Sequence, residues 1–212
     1  MKTIELANQL PISLISHEML SSRLAGTVSN INNKIASLVR AGDLIRLKKG
    51  FYCFAPAYRK HLLDLKAIAG GLYAPSYLSF EYALSFHGII PEAVYEMTSA
   101  TTRNDKYYET PVGRFSYKKI PLHAYSLGVD WHFDRVEGGI FVATVEKALC
   151  DKIRYHRRLG TLSQRDMRDY LLDDMRADLP ENMNVELIKT IAEAYRSRNL
   201  ATLASVIERM TP

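Results

Sequence analysis

Thr27-Val28-Ser29-Asn30-Ile31-Asn32-Asn33-Lys34-Ile35-Ala36-Ser37-Leu38-Val39-Arg40, and then Ala41-Gly42-Asp43-Leu44-Ile45-Arg46-Leu47-Lys48-Lys49-Gly50-Phe51-Tyr52-Cys53-Phe54, decide how the first quarter of the chain folds. Val28, Ile31, Ile35, Leu38 and Val39 recur at helical spacing and mark one apolar face. The opposite face carries Ser29, Asn30, Asn33, Ser37 and Arg40, all small, amide-bearing or cationic. Gly42 is expected to end the helix, because glycine enters the left-handed C′ conformation at no steric cost. Leu44–Leu47 and Phe51–Phe54 read as two short strands, with Lys48-Lys49-Gly50 as a basic turn between them.

A helix with an amide-rich outer face followed by a basic hairpin is the pattern of a winged helix-turn-helix. The major groove admits one helix, whose exposed Asn, Ser and Arg side chains can bond base edges. Cations on an adjacent hairpin, here Arg46, Lys48 and Lys49, would meet phosphates without reading sequence. The competing interpretation is a polar solvent face beside an ordinary hairpin.

Charge distribution bears on that choice. The 212-residue chain has a formal net charge of +5. Residues 1–60 hold nine Lys/Arg against three acids, whereas the other 152 residues hold 19 bases and 20 acids. The basic excess therefore sits with the expected DNA-binding module, as an electrostatic footprint would. With 47% hydrophobic and 24% charged residues the composition is that of an ordinary globular protein. No apolar run approaches the roughly 20 residues of a membrane span, and the Met1–Ser16 segment, broken by Glu5, Asn8 and Pro11, is not patterned as a signal peptide. Cys53 and Cys150 lie in apolar contexts and are expected to be buried thiols in a reducing cytoplasm.

Residues 3–9 and Ile12–Leu24 are expected to form two supporting helices, the second capped by Ser13 or Ser16. Ala55-Pro56 breaks the hairpin and divides a module at 1–56 from one at 57–212. In the second, a helix is expected over Ala57–Gly71 and a short one ending at Gly88. Strands are expected near Val94–Ala100, Tyr107–Glu109, Arg114–Ile120, Asp130–Val136 and Gly139–Ala143, and helices from about Thr144 onward. The fold class is α+β: a winged helix, then a mixed module with a small antiparallel sheet and a helical C-terminus.

Several blocks together resemble the AbiEi family. They are Tyr77-Leu78-Ser79-Phe80-Glu81-Tyr82-Ala83-Leu84-Ser85-Phe86-His87-Gly88-Ile89-Ile90-Pro91, Thr101-Thr102-Arg103, Glu109-Thr110-Pro111-Val112-Gly113-Arg114-Phe115-Ser116-Tyr117 and Ala143-Thr144-Val145-Glu146-Lys147-Ala148-Leu149-Cys150-Asp151. These are antitoxins of type IV, abortive-infection toxin–antitoxin systems, and the resemblance spans about residues 10–155. It implies a winged helix that binds double-stranded DNA in its own promoter region and represses its operon. It also implies a second module that neutralises a co-expressed nucleotidyltransferase-like toxin, with no catalytic centre and no cofactor. Carried onto this chain, the DNA role falls on Ser29, Asn30, Asn33, Lys34, Arg40, Lys48 and Lys49. The alternative is a stand-alone winged-helix transcriptional regulator whose second module senses a ligand or dimerises.

Catalytic patterns are weak. The six histidines show no pair at zinc-ligand spacing, and there is no phosphate-binding glycine loop or nucleophile elbow. Asp173-Asp174 are helical neighbours that diverge by about 100° and read as a solvated face. His87 is expected to cap its own helix, and Glu146 and Asp151 to favour the dipole of theirs. Arg154-Tyr155-His156-Arg157-Arg158 is the one further cationic cluster, and Arg154, Arg157 and Arg158 could meet nucleic acid or an acidic partner. The expectation is a cytoplasmic, non-enzymatic, metal-free protein.

Overall fold

The computed structural model describes residues 2–156 and 160–210. It is α+β, with ten α-helices and two sheets among the described residues. Residues 3–54 run α1 (Thr3–Gln9), β1 (Ile15–Ser16), α2 (His17–Leu24), α3 (Ile31–Arg40), β2 (Leu44–Lys48) and β3 (Phe51–Phe54). The three strands form an antiparallel sheet in the order β1-β3-β2.

The helix expected over Ile12–Leu24 is shorter. Ile15 and Ser16 pair with Tyr52 and Phe51 as a strand, and the helix starts only after them. Ser16 is its cap, accepting from the Met19 N–H at 3.2 Å. Ser13 bonds elsewhere, its Oγ donating to Glu137 at 2.5 Å and accepting from the Asp64 N–H at 2.8 Å. α3 likewise starts late, because the Asn30 Oδ1 accepts from the Asn33 N–H at 2.9 Å. Its end follows expectation. Gly42 has φ +76°, with Gly42 N–H bonded to the Val39 carbonyl at 3.1 Å and Asp43 N–H to that of Leu38 at 3.0 Å. Those two bonds are the Schellman pair, which occupies carbonyls the helix itself cannot satisfy.

The second sheet corrects the sequence reading. Instead of a small antiparallel sheet there is a six-stranded mixed one, ordered β6-β7-β5-β4-β9-β8. Its strands are β4 (Ser76–Leu78), β5 (Met97–Thr101), β6 (Lys106–Thr110), β7 (Gly113–Lys119), β8 (Val129–His132) and β9 (Ile140–Ala143). β4–β9 and β5–β7 are parallel pairs. The central strand β4 was not expected, being three residues long and wholly buried, with no alternation to betray it. The Ala57–Gly71 helix is also revised. Pro56–Tyr58 is a 3-10 turn and α4 (Leu65–Leu72) begins at Asp64, whose carboxylate accepts from the Lys66 N–H at 2.8 Å.

Helices cover both faces. Tyr117 on β7 donates to the Ala69 carbonyl of α4 at 2.7 Å on one side. On the other, Tyr77 of β4 reaches Asp151 on α7 (Val145–Tyr155), which packs against α5 (Phe80–Phe86). The short α6 (Leu122–Tyr125) leads into β8. α8 (Gln164–Asp169) continues as a π-turn over Tyr170–Asp174, and α9 (Val185–Tyr195) and α10 (Arg198–Met210) pack on each other. Arg196, in the left-handed conformation, separates those two, so Asn199 lies inside α10 rather than between helices.

Buried side chains form two clusters. One joins α1, α2, α3 and the small sheet; the other fills the space around the large sheet. Leu47 and Cys53, both on the hairpin, belong to the larger cluster. The hairpin therefore packs into both clusters, Leu44, Tyr52 and Phe54 into one and Leu47 and Cys53 into the other. No helix among the described residues is long and apolar enough to cross a membrane.

Candidate nucleic-acid interface

Ile35 and Leu38 bury the inner face of α3, leaving Asn32, Asn33, Ala36, Ser37 and Arg40 exposed. Ser29 and Asn30 are exposed too, but they precede the helix, and the Asn30 carbonyl oxygen is spent on the cap. Lys34 is half-buried at the margin. Asp43, the acid nearest the end of α3, is turned away: it accepts from the Thr3 hydroxyl at 2.7 Å and from Tyr58 at 3.0 Å. A surface holding amides, hydroxyls and a guanidinium, with its neighbouring carboxylate bonded to Thr3 and Tyr58, can donate to an anionic ligand.

The hairpin divides its cations. Arg46 is exposed and faces α3; with Arg40, His17 and Asn32 it lines a concavity of about 310 Å³. Asn32 was not among the expected residues. Its Oδ1 meets His17 Nε2 at 2.9 Å, while Ser21 lies 3.3 Å from the other ring nitrogen, so a polar chain ties α2 to α3. The signal available in sequence was only the neighbouring amide Asn33; the partner His17 is 15 residues away. Lys49 is exposed at the hairpin turn, and the Gly50 carbonyl beside it accepts from the His17 N–H at 2.7 Å.

Lys48 leaves the outward-facing set. Its ammonium donates to the Leu72 carbonyl and lies 4.3 Å from the Phe51 ring centre and 5.5 Å from that of Tyr108. The reason is a bulge: Arg46 pairs with Tyr52 but Lys48 pairs with Phe51, so the register shifts at Leu47. Burial lowers the Lys48 pKa, and the charges of Arg103 and Lys106 lower it further. The structure thus brings Asn33, Ser37, Arg40, Arg46 and Lys49 to the α3–hairpin surface.

Arg154 sits in the last turn of α7, in the second module, 5.6 Å from the Tyr155 ring. It does not join the α3 surface. Arg157 and Arg158 lie outside the described residues.

A polar cluster buried around α7 was not read from the sequence. Lys147 and Asp151, one turn apart on α7, are both fully buried and 3.0 Å apart. Asp151 accepts from Tyr77 at 2.9 Å, Ser79 at 2.7 Å and Tyr195 at 2.6 Å. Lys147 donates to the Ala124 carbonyl at 2.8 Å and lies over the Tyr195 ring. Burial, and then the Asp151 charge, raise the Tyr77 and Tyr195 hydroxyls well above their ordinary range. These partners satisfy one another and link β4, the turn before α5, α7 and α9. Beside them, at Tyr155, a groove of about 700 Å³ opens between α7, α5 and β7, lined in part by Glu81, Arg114, Lys118 and Lys152.

The remaining residues singled out in the sequence lie elsewhere in the fold. His87 is the C-cap of α5, its N–H bonded to the Ala83 carbonyl at 3.0 Å, while its Nε2 donates to the Ala143 carbonyl on β9 at 2.7 Å. Asp173 and Asp174 are exposed. Cys53 and Cys150 are buried free thiols, whose ionisation burial disfavours. No cluster of three metal-ligating side chains occurs among the described residues. Compared with protein-family models and with curated proteins, the sequence finds no match.

Proposed function

We propose that residues 2–56 form a winged helix-turn-helix and that the chain is a DNA-binding autorepressor and antitoxin of the AbiEi type. One observation carries the DNA half. α3 presents Asn33, Ser37 and Arg40 to solvent, flanked by Arg46 and Lys49 on the hairpin, with Asp43 turned inward. In this reading α3 enters the major groove. Asn33 and Arg40 contact base edges, and Lys49 and Arg46 contact phosphates on either side. The order α1-β1-α2-α3-β2-β3, with β3 central, supports it.

The antitoxin half rests on the resemblance of the blocks between Tyr77 and Asp151. In that reading the second module antagonises a nucleotidyltransferase-like toxin in the cytoplasm without chemistry of its own. The buried Lys147–Asp151 cluster then serves to hold β4, α7 and α9 in place. The alternative, a regulator whose second module takes a small ligand, draws on the groove beside Tyr155.

A reporter fused to the chain's own upstream region tests the first half, with repression by the full chain and relief in Asn33→Ala/Arg40→Ala as the expected result. Repression unaffected by that pair would refute the assignment of α3. The second half is tested by co-expression with a neighbouring nucleotidyltransferase-like gene product. Restored growth supports it; continued toxicity at equal expression counts against it.

A further inference from the structure

Most lysines of the second module are held by carboxylates: Lys66 by Asp64, Lys118 by Asp105, Lys147 by Asp151, Lys152 by Glu81, and Lys189 by Glu186 and Glu208. The seam where the hairpin meets β6 is different. Lys48 from β2 and Lys106 from β6 share the Tyr108 ring, their ammonium groups 5.5 Å and 5.7 Å from its centre. Arg103 stacks 4.6 Å from the Tyr73 ring, which itself lies 6.1 Å from Tyr108. Among the described residues no carboxylate forms an ion pair with any of the three. They meet instead the Leu72 and Ala74 carbonyls and the faces of Phe51, Tyr73 and Tyr108.

Three cations, one from the hairpin and two from the stretch leading into β6 and its first residue, gather on aromatic faces and repel one another, and the rings offset part of that repulsion. The lowered Lys48 pKa reports the same repulsion, since Arg103 and Lys106 both contribute to it after burial. An anion would relieve it. A carboxylate offers two acceptor oxygens, whereas a phosphate group offers three or more.

We infer that this seam is a phosphate-binding site, with Lys48, Arg103 and Lys106 as its donors. The phosphate has two possible sources, a free phosphate ester or the backbone of a bound nucleic acid. The second rests on the DNA reading above; the first does not. Either way, occupancy would tie β2 of the hairpin to β6 of the second module through one shared anion.

The test uses the full chain and inorganic pyrophosphate at fixed ionic strength, read by ³¹P line broadening. The variants are Arg103→Ala/Lys106→Ala and, as a control of equal charge loss elsewhere, Arg165→Ala/Arg168→Ala. All four side chains are exposed, so neither variant threatens the core. Saturable binding in the wild type and control, weakened at least tenfold in Arg103→Ala/Lys106→Ala, is expected. A second arm measures binding to a duplex from the upstream region across a salt series. If the seam holds backbone phosphate, the slope of log affinity against log salt falls by about 0.9 for each phosphate no longer engaged, in that variant alone. Loss of pyrophosphate binding with an unchanged DNA slope assigns the site to free phosphate esters. No difference between variant and control in either arm overturns the inference. A wild type that binds no DNA refutes the α3 reading instead, and the pyrophosphate arm still decides the seam.

Discussion

Replacing Lys147 by methionine removes one member of a fully buried ion pair while nearly preserving side-chain volume. Asp151 would keep its Tyr77, Ser79 and Tyr195 donors but lose the ammonium 3.0 Å away, leaving a carboxylate with no counter-charge at zero exposure. Breaking a buried pair from one side typically costs about 3–5 kcal/mol, most of it the penalty for the charge left behind. With a urea slope of roughly 2 kcal/mol/M, the unfolding midpoint should fall by about 1.5–2.5 M. Lys147→Met/Asp151→Leu should recover much of that loss, because neither charge then needs desolvation. The assay is equilibrium urea unfolding followed by circular dichroism, with the four proteins of the cycle compared at constant slope. A Lys147→Met midpoint within about 0.5 M of wild type, a loss under roughly 1 kcal/mol, would refute the premise that this pair is sequestered from solvent.

Three other outcomes follow from the geometry. Asn30→Ala should cost about 1 kcal/mol in the same unfolding assay, because it removes the acceptor of the Asn33 N–H at the start of α3; an unchanged midpoint would contradict that cap. Stability should fall as pH rises above about 10. Tyr77, Tyr117 and Tyr195 stay protonated when folded, mainly through burial, while in the unfolded chain they ionise near 10.0. The unfolded chain then binds fewer protons, so each residue lowers stability by about 1.4 kcal/mol per pH unit, roughly 4 for the three together; a flat profile to about pH 11 would contradict this. Gly139→Ala should destabilise by about 1–3 kcal/mol, since a Cβ there would fall 2.3 Å from the Trp131 ring. As Trp131 is the only tryptophan, its emission should shift in the native state, and an unaltered spectrum would count against that close approach.

Local patterns carried much of the architecture. α3 was legible because Ile31, Ile35 and Leu38 impose its helical period and Gly42 supplies the left-handed end at no steric cost. What failed depended on distant partners. Ile15-Ser16 read as helix until Tyr52 and Phe51, more than 30 residues on, drew it into a strand. Lys48 read as a cation of the turn beside Lys49, but β2 runs on through it and the bulge at Leu47 turns it inward. β4 is short and buried on both faces, so it carries no period at all. The Lys147–Asp151 pair did leave a trace, being one helical turn apart in a segment rich in Ala, Leu and Cys. Only Tyr77, Ser79 and Tyr195, recruited from other elements, make its burial tolerable.

Fluorescence anisotropy of the full chain on its own upstream duplex, against a scrambled duplex and across a salt series, tests the central claim most directly. Tighter binding to the upstream sequence and a steep salt dependence are expected. Asn33→Ala should lose about 1–3 kcal/mol of the discrimination between the duplexes. Lys49→Ala should weaken both alike and flatten the slope by about 0.9, the share of one phosphate. Equal, weak binding to both duplexes, with neither substitution altering it, would contradict the assignment of α3 and the hairpin as a DNA reader.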